Sequence, residues 1–124
     1  MDKVISIGSN KIGLEHPTYF IADIAANWDG ELQRAIDLIY LSAEMGANAA
    51  KFQNFKAETI VSDFGFKSLQ GGNQVSHQEE WEESVFEVYK KASLPLKWTE
   101  TLRDHCKKAG VDYFTAPYDE SQIE

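Results

Sequence analysis

Polar side chains sit towards the ends of three apolar segments of the chain. The run Tyr19-Phe20-Ile21-Ala22-Asp23-Ile24 holds Asp23 and leads to Asn27, Ala47–Gln53 carries Lys51 and Gln53, and Val111–Thr115 ends in Thr115 and leads to Tyr118 and Asp119. A charge in an otherwise apolar strand costs several kcal/mol if it is buried without a partner. Asp23 and Lys51 are therefore expected to be paired, bound to a ligand, or both. Two chemistries fit. One is a structural ion pair between neighbouring strands. The other is an anion site, in which Lys51 offers a point positive charge to a phosphate or carboxylate and hydroxyl and amide donors complete the pocket. Asp23 then serves as hydrogen-bond acceptor or general base towards a polyol.

These residues converge only if the three segments are parallel strands with their C-terminal ends together, where ligands gather in parallel α/β folds. The surrounding pattern predicts such a fold. Val4–Ile7, the turn cluster Gly8-Ser9-Asn10-Lys11 and Ile12 read as an N-terminal hairpin. Tyr19–Ile24 is apolar almost throughout, as in a strand buried on both faces. Leu32, Ala35, Ile36, Ile39, Tyr40 and Ala43 recur at helical spacing, with Asp29 placed to cap the helix and Gly46 to end it. With the strand Ala47–Gln53 this makes a βαβ unit.

Trp81, Val85, Val88, Tyr89 and Ala92 fit a helical period better than alternation. Asn54–Gln78 is left as a long loop, a length that is usually functional, with Lys56, Lys67 and Gln70 available to fold over the site. Glu79, Glu80, Glu82 and Glu83 read as the solvated start of the following helix. A further helix spans Leu96–Ala109, with Trp98, Leu102, Cys106 and Ala109 on one face and Gly110 as its stop. Asp119-Glu120-Ser121 reads as the cap and first turn of another. The order β-α-β-loop-α-α-β-(α) predicts an α/β protein with a parallel sheet.

A length of 124 residues, 43% hydrophobic and 12% aromatic, suits one small globular domain. The net charge of −8 lacks the basic footprint that a phosphate backbone demands, so nucleic acid is a poor partner. No apolar run nears the ~20 residues of a bilayer span, and Met1–Glu15 has no secretory apolar stretch. A cytoplasmic protein without a membrane partner is expected. The single cysteine, Cys106, allows no intrachain disulfide, and its place on an apolar helix face suits packing rather than reactivity. His16, His77 and His105 show no metal-ligand spacing.

The strings YFIADIAANWDG (19–30), ANAAKFQNFKAETIV (47–61) and AGVDYFTAPYD (109–119) closely resemble the sialic acid synthase family, whose members condense phosphoenolpyruvate with N-acylated amino sugars. The resemblance is ordered along the chain from about Val4 to Glu124, and its KFQ-x-FKAE stretch is strongly specific. It implies an N-terminal hairpin plus the first three βα units of an aldolase-type TIM barrel, incomplete in this chain, since a whole barrel takes ~250 residues. Residues 1–124 would be a partial synthase domain, with the remainder of the barrel and a small antifreeze-like C-terminal domain absent. The resemblance further implies a homodimer and a divalent metal, manganese or magnesium, acting as a Lewis acid. The metal's histidine ligands belong to a later part of the barrel.

By the same resemblance, Lys51 matches the lysine that contacts phosphoenolpyruvate, and Gln53 a glutamine lining the sugar pocket. Asp23 stands where most members have a glutamate proposed to act on the sugar or the attacking water, so the carboxylate is kept but is one methylene shorter. Asn27 matches the asparagine of an Asn-His-x-Gly turn, with Trp28 in the histidine position. The family's Ser-Thr-Pro-Phe segment is Thr115-Ala116-Pro117-Tyr118 here. Ala116 thus replaces a threonine that helps hold phosphoenolpyruvate, with Thr115 as its partial substitute. The implied assignment is Asp23 catalytic and Lys51, Gln53, Asn27 and Thr115 binding substrate. Two other readings stand beside it: a different TIM-barrel enzyme, such as a phosphosugar aldolase in which Lys51 forms a Schiff base, and a non-catalytic truncated fragment.

Overall fold

The computed structural model describes residues 3–68 and 82–123. Strands β1 (Ile5–Ile7) and β2 (Asn10–Ile12) pair antiparallel with Ile7 opposite Asn10, so the turn between them is only Gly8-Ser9. Gly8 has φ +55°, and a Cβ there would fall 2.6 Å from Oδ1 of Asp112. Glycine alone permits that approach. Asp112 in turn accepts from Asn10 Nδ2 at 3.1 Å and from the Tyr19 hydroxyl at 2.6 Å, which pins the hairpin to the main sheet. Burial, and then this carboxylate, push the Tyr19 phenol above its ordinary range.

The main sheet comprises β3 (Ile21–Ala25), β4 (Ala49–Asn54) and β5 (Asp112–Pro117), all parallel and adjacent in chain order. Their C-terminal ends therefore lie side by side. Helix α1 (Leu32–Glu44) connects β3 to β4, α5 (Thr99–Ala109) leads into β5, and the two helices pack together against one face of the sheet. Ile24, Trp28, Ile36, Ile39, Phe52, Leu102 and Cys106 form the core between them. Both helices stop at a left-handed glycine, Gly46 at φ +87° and Gly110 at φ +76°. The next N–H, of Ala47 or Val111, returns 3.0 Å to the carbonyl of Ser42 or Cys106, and the chain passes directly into a strand.

The remaining helices are α2 (Ala57–Ile60), α3 (Asp63–Ser68) and α4 (Val85–Ala92), with α4 packed on the other two. Ser84 caps α4 by accepting the Glu87 N–H. The span from Asn54 to Ser68 is thus not a structureless loop. Local bonds too short in range to show a periodicity, such as Gly65 N–H to Ser62 Oγ and Lys67 to Asp63, support its short helices. Gln70, His77, Glu79, Glu80 and Trp81 lie outside the described residues.

Four further expectations change. Asp29 does not cap α1: it lies two positions before the N-cap residue Glu31, takes φ +50°, and pairs with Arg34 at 2.7 Å instead. Strand β3 is covered by helices on one side only and is one of the two edges of the three-stranded sheet, and Ile21 is 47% exposed. The segment after β5 is a single 3-10 turn, Glu120–Gln122, although Asp119 does cap it by accepting the Ser121 N–H at 2.9 Å. The Leu96–Ala109 helix opens with a 3-10 turn, Leu96–Trp98, before α5 begins. Among the described residues no helix is long and apolar enough to cross a membrane.

Candidate active site

Strand β4 alternates. Ala50, Phe52 and Asn54 are buried under the helices, whereas Lys51 and Gln53 are partly exposed on the opposite face. Asp23 is the cross-strand partner of Lys51, so carboxylate and ammonium share that open face. Lys51 Nζ lies 3.6 Å from Asp23 Oδ2, with the side chains 36% and 55% exposed. The pair is therefore a loose contact in solvent, not a buried bridge. An ammonium has three donors, so Lys51 can keep this contact and still engage a second anion. Opposite Lys51 and Gln53 on β5 stand Phe114 and Ala116, a ring and a methyl group. Asp23, Lys51 and Gln53 thus gather on one face at the C-terminal ends of adjacent strands.

Asn27 lies at the rim, in the turn after β3. Its Nδ2 donates to the Ile24 carbonyl at 2.9 Å, and its own carbonyl accepts from Arg34 Nε at 3.0 Å, so the residue shapes the turn. A register shift between Asp23 and Ala25, with Ala25 at φ +55°, redirects the chain there. Trp28 points away from the rim. It is fully buried, with its ring 6.1 Å from that of Phe52.

Thr115 departs from its expected place. It lies opposite Phe52, and its hydroxyl donates to Asn54 Oδ1 at 2.6 Å on the helix-facing side of the sheet. The fold thus places it on the other face of the sheet from Asp23, Lys51 and Gln53. Asn54, which sequence reasoning passed over, is only 1% exposed and also accepts the Tyr118 N–H on its main-chain oxygen at 3.0 Å. It clamps the ends of β4 and β5 directly beside Gln53. The available signal was its position two residues beyond Phe52, where a polar side chain on a buried face must find a partner.

Further ties join the loops at this end. Lys56 Nζ donates to Ser121 Oγ at 2.7 Å. The Ser121 hydroxyl, its backbone N–H and the Lys56 charge hold the Asp119 carboxyl below its usual range. Phe55 is buried between Tyr89 and Tyr118, at ring distances of 5.8 and 5.9 Å. On the helix side, burial and then Asp112 push the Cys106 thiol up to about 12, so it stays protonated and inert at neutral pH. Among the described residues no three His, Cys, Asp or Glu side chains come together as metal ligands. The donor set at Asp23 and Lys51, one carboxylate beside one ammonium, does not fit a divalent metal.

Successive parallel βα units with a charged pair at the C-terminal ends of their strands are the arrangement of a segment of an α/β barrel, a fold in which sites lie at the C-terminal rim. The chain belongs to the NeuB family, whose family model matches residues 38–124. It is 30% identical over 119 residues to the spore coat polysaccharide biosynthesis protein SpsE of Bacillus subtilis, covering 95% of this chain and 30% of that protein. It is 31% identical over 107 residues to an N,N'-diacetyllegionaminic acid synthase of Campylobacter jejuni, covering 86% of this chain and 31% of that one. The crystal structure of N-acetylneuraminic acid (sialic acid) synthetase from Leptospira borgpetersenii, in complex with citrate, matches with a TM-score of 0.74 at 26% identity, covering 99% of this chain and 37% of that one. The chain thus spans about 30% of the length of these curated relatives.

Proposed function

We propose that this chain forms the phosphoenolpyruvate end of the active site of a synthase. That enzyme condenses phosphoenolpyruvate with an N-acyl hexosamine, or its 6-phosphate, to a sialic-acid-like nonulosonate and releases phosphate. The observation that carries the proposal is the juxtaposition of Asp23 and Lys51, 3.6 Å apart on the open face, with Gln53 two residues further along the same face. Lys51 holds the anion by charge, and Gln53 offers an amide to the sugar. Asp23 accepts a proton from the water that adds after the phosphoenolpyruvate methylene carbon has attacked the sugar aldehyde. Asn27 contributes by holding the turn that carries Asp23 to the rim, and Thr115 takes no part.

The rest of the barrel, an antifreeze-like C-terminal domain, a homodimer and a cytoplasmic location belong to the same proposal, supported by the family resemblance. So does a divalent metal. The residues described here do not fit one, and no step is assigned to it.

Titrating phosphoenolpyruvate into this chain tests the reading. Saturable binding is expected, weakened about tenfold or more by Lys51→Ala because a charge-assisted contact is lost. Equal affinity in the variant removes Lys51 from the site. Borohydride treatment with sugar phosphate present is expected to leave Lys51 unmodified, and a trapped adduct there would replace this proposal with a Schiff-base aldolase.

A further inference from the structure

The turn that follows Asp23 is strained. Ile24 and Trp28 both enter the core, and the three residues between them reverse the chain at the rim. The Ile24 carbonyl accepts the Asn27 N–H at 3.1 Å and Asn27 Nδ2 at 2.9 Å, so one oxygen closes the turn twice. That closure puts Ala25 at φ +55°, a left-handed conformation that alanine rarely takes and that lowers a folding equilibrium constant roughly fivefold or more. The next turn, Trp28–Glu31, also has positive φ at its two central residues, but they are Asp29 and Gly30, the types such a turn prefers. Strain in this segment is therefore concentrated at Ala25, two residues after Asp23.

The ion pair beside the turn is wider than others in the chain. Asp29 closes on Arg34, and Asp63 on Lys67, at 2.7 Å, as opposite charges do when their side chains adjust freely. Asp23 stops 3.6 Å from Lys51, short of a hydrogen bond, although these two residues are direct cross-strand partners. Asp23 is also the last residue in register before the shift: the partner of Phe52 is Ala25, with Ile24 as the extra residue. An extra residue of this kind re-aims the side chains next to it. With the Ile24 side chain buried and its carbonyl held by Asn27, the backbone behind Asp23 is fixed, and the short carboxylate does not close on the ammonium.

We infer that Ala25 is a positioning residue: its left-handed turn holds Asp23 off Lys51, so that the ammonium stays free for an anion. This rests on the anion site proposed at Lys51. It is tested by titrating phosphoenolpyruvate into Ala25→Val, because a β-branched residue does not settle in the left-handed conformation and releases the turn. Affinity is expected to fall about three- to fivefold as Asp23 closes on Lys51, to be restored by adding Asp23→Asn, and to be retained in Ala25→Gly. Gly46→Val is the control. It places similar strain at φ +87°, where a Cβ meets nothing within 4 Å, at the other end of the strands, so it lowers stability and leaves affinity unchanged. Unchanged affinity in Ala25→Val, a loss that Asp23→Asn does not restore, or an equal loss in Gly46→Val would overturn the inference. If Ala25→Val does not fold, Asn27→Ala opens the same turn by removing one of its two ties, and the same loss and restoration are expected. Full affinity there overturns the inference as well. The carbon-13 resonance of the Asp23 carboxyl gives a reading without phosphoenolpyruvate: Lys51→Ala is expected to shift it more when Ala25→Val is present than when it is not, and equal shifts count against the inference. A chain that does not bind phosphoenolpyruvate removes the proposed site, while this resonance still reports whether Ala25 sets the spacing of Asp23 and Lys51, so the two proposals fail separately.

Discussion

The two faces of the central sheet are built from the same strands and share almost nothing else. On the helix side, Ala50 and Phe52 of β4 are fully buried with Trp28, Ile39 and Leu102, and Asn54 is held by Thr115. On the other side, one residue along at each step, Lys51 and Gln53 remain partly exposed beside Asp23. The period-two alternation of a strand is what allows a packed wall and a charged rim to coexist within six residues. The difference separates the energies as well. Aromatic burial stabilises the helix side, while a half-exposed ion pair at 3.6 Å contributes little to folding and leaves its charges available to a ligand.

That division can be broken most directly by truncating neighbouring residues of β4. Phe52→Ala removes a fully buried ring and is expected to lower unfolding free energy by about 3–5 kcal/mol in urea titrations. Lys51→Ala is expected to cost no more than about 1 kcal/mol, and equal losses would show that the open face also carries the fold. The next largest effect sharpens the boundary. Thr115→Val keeps the side-chain volume but leaves Asn54 Oδ1 buried without its donor, an expected loss of about 1–3 kcal/mol with phosphoenolpyruvate affinity unchanged. A variant of full stability and weakened affinity would move Thr115 to the open face.

The smallest effect is in pH. Burial raises the Cys106 thiol from 9.0 to about 12 and lifts the Tyr19 and Tyr113 phenols above 10.0. From about pH 9 upward the unfolded chain therefore releases protons that the folded chain keeps, so unfolding is favoured as pH rises towards 12. Urea midpoints should be flat near pH 8 and fall progressively above 9, and a flat profile to pH 11 would mean that the folded chain does not hold these protons more tightly than the unfolded one.

Much of this arrangement was legible before any coordinates. The helical spacing from Leu32 to Ala43 and from Trp98 to Ala109 marks the two helices whose buried residues, among them Ala35, Ile36, Ile39, Leu102 and Cys106, form the packed side. Gly46 and Gly110 stop those helices because the left-handed closing residue carries its signal in its own identity. Other features left no such mark. Asp29 has the right side chain for a cap, but the turn from Ala26 to Gly30 delays the helix by two residues beyond its reach. Helices α2 and α3 are too short for a period to emerge.

The site divides along the same line. The sequence by itself determined that Asp23, Lys51 and Gln53 belong near strand ends of a parallel α/β fold, and that Lys51 and Gln53 share a face, since alternation within one strand needs only that strand. Only the tertiary structure decided which residues stand opposite one another: Asp23 with Lys51, but Thr115 with Phe52 rather than with the rim. Pairing register joins segments some sixty residues apart, and a shift of one residue exchanges the faces. No local pattern in either strand contains that choice, which packing of Phe52, Tyr113 and Asn54 against the helices makes for the whole sheet.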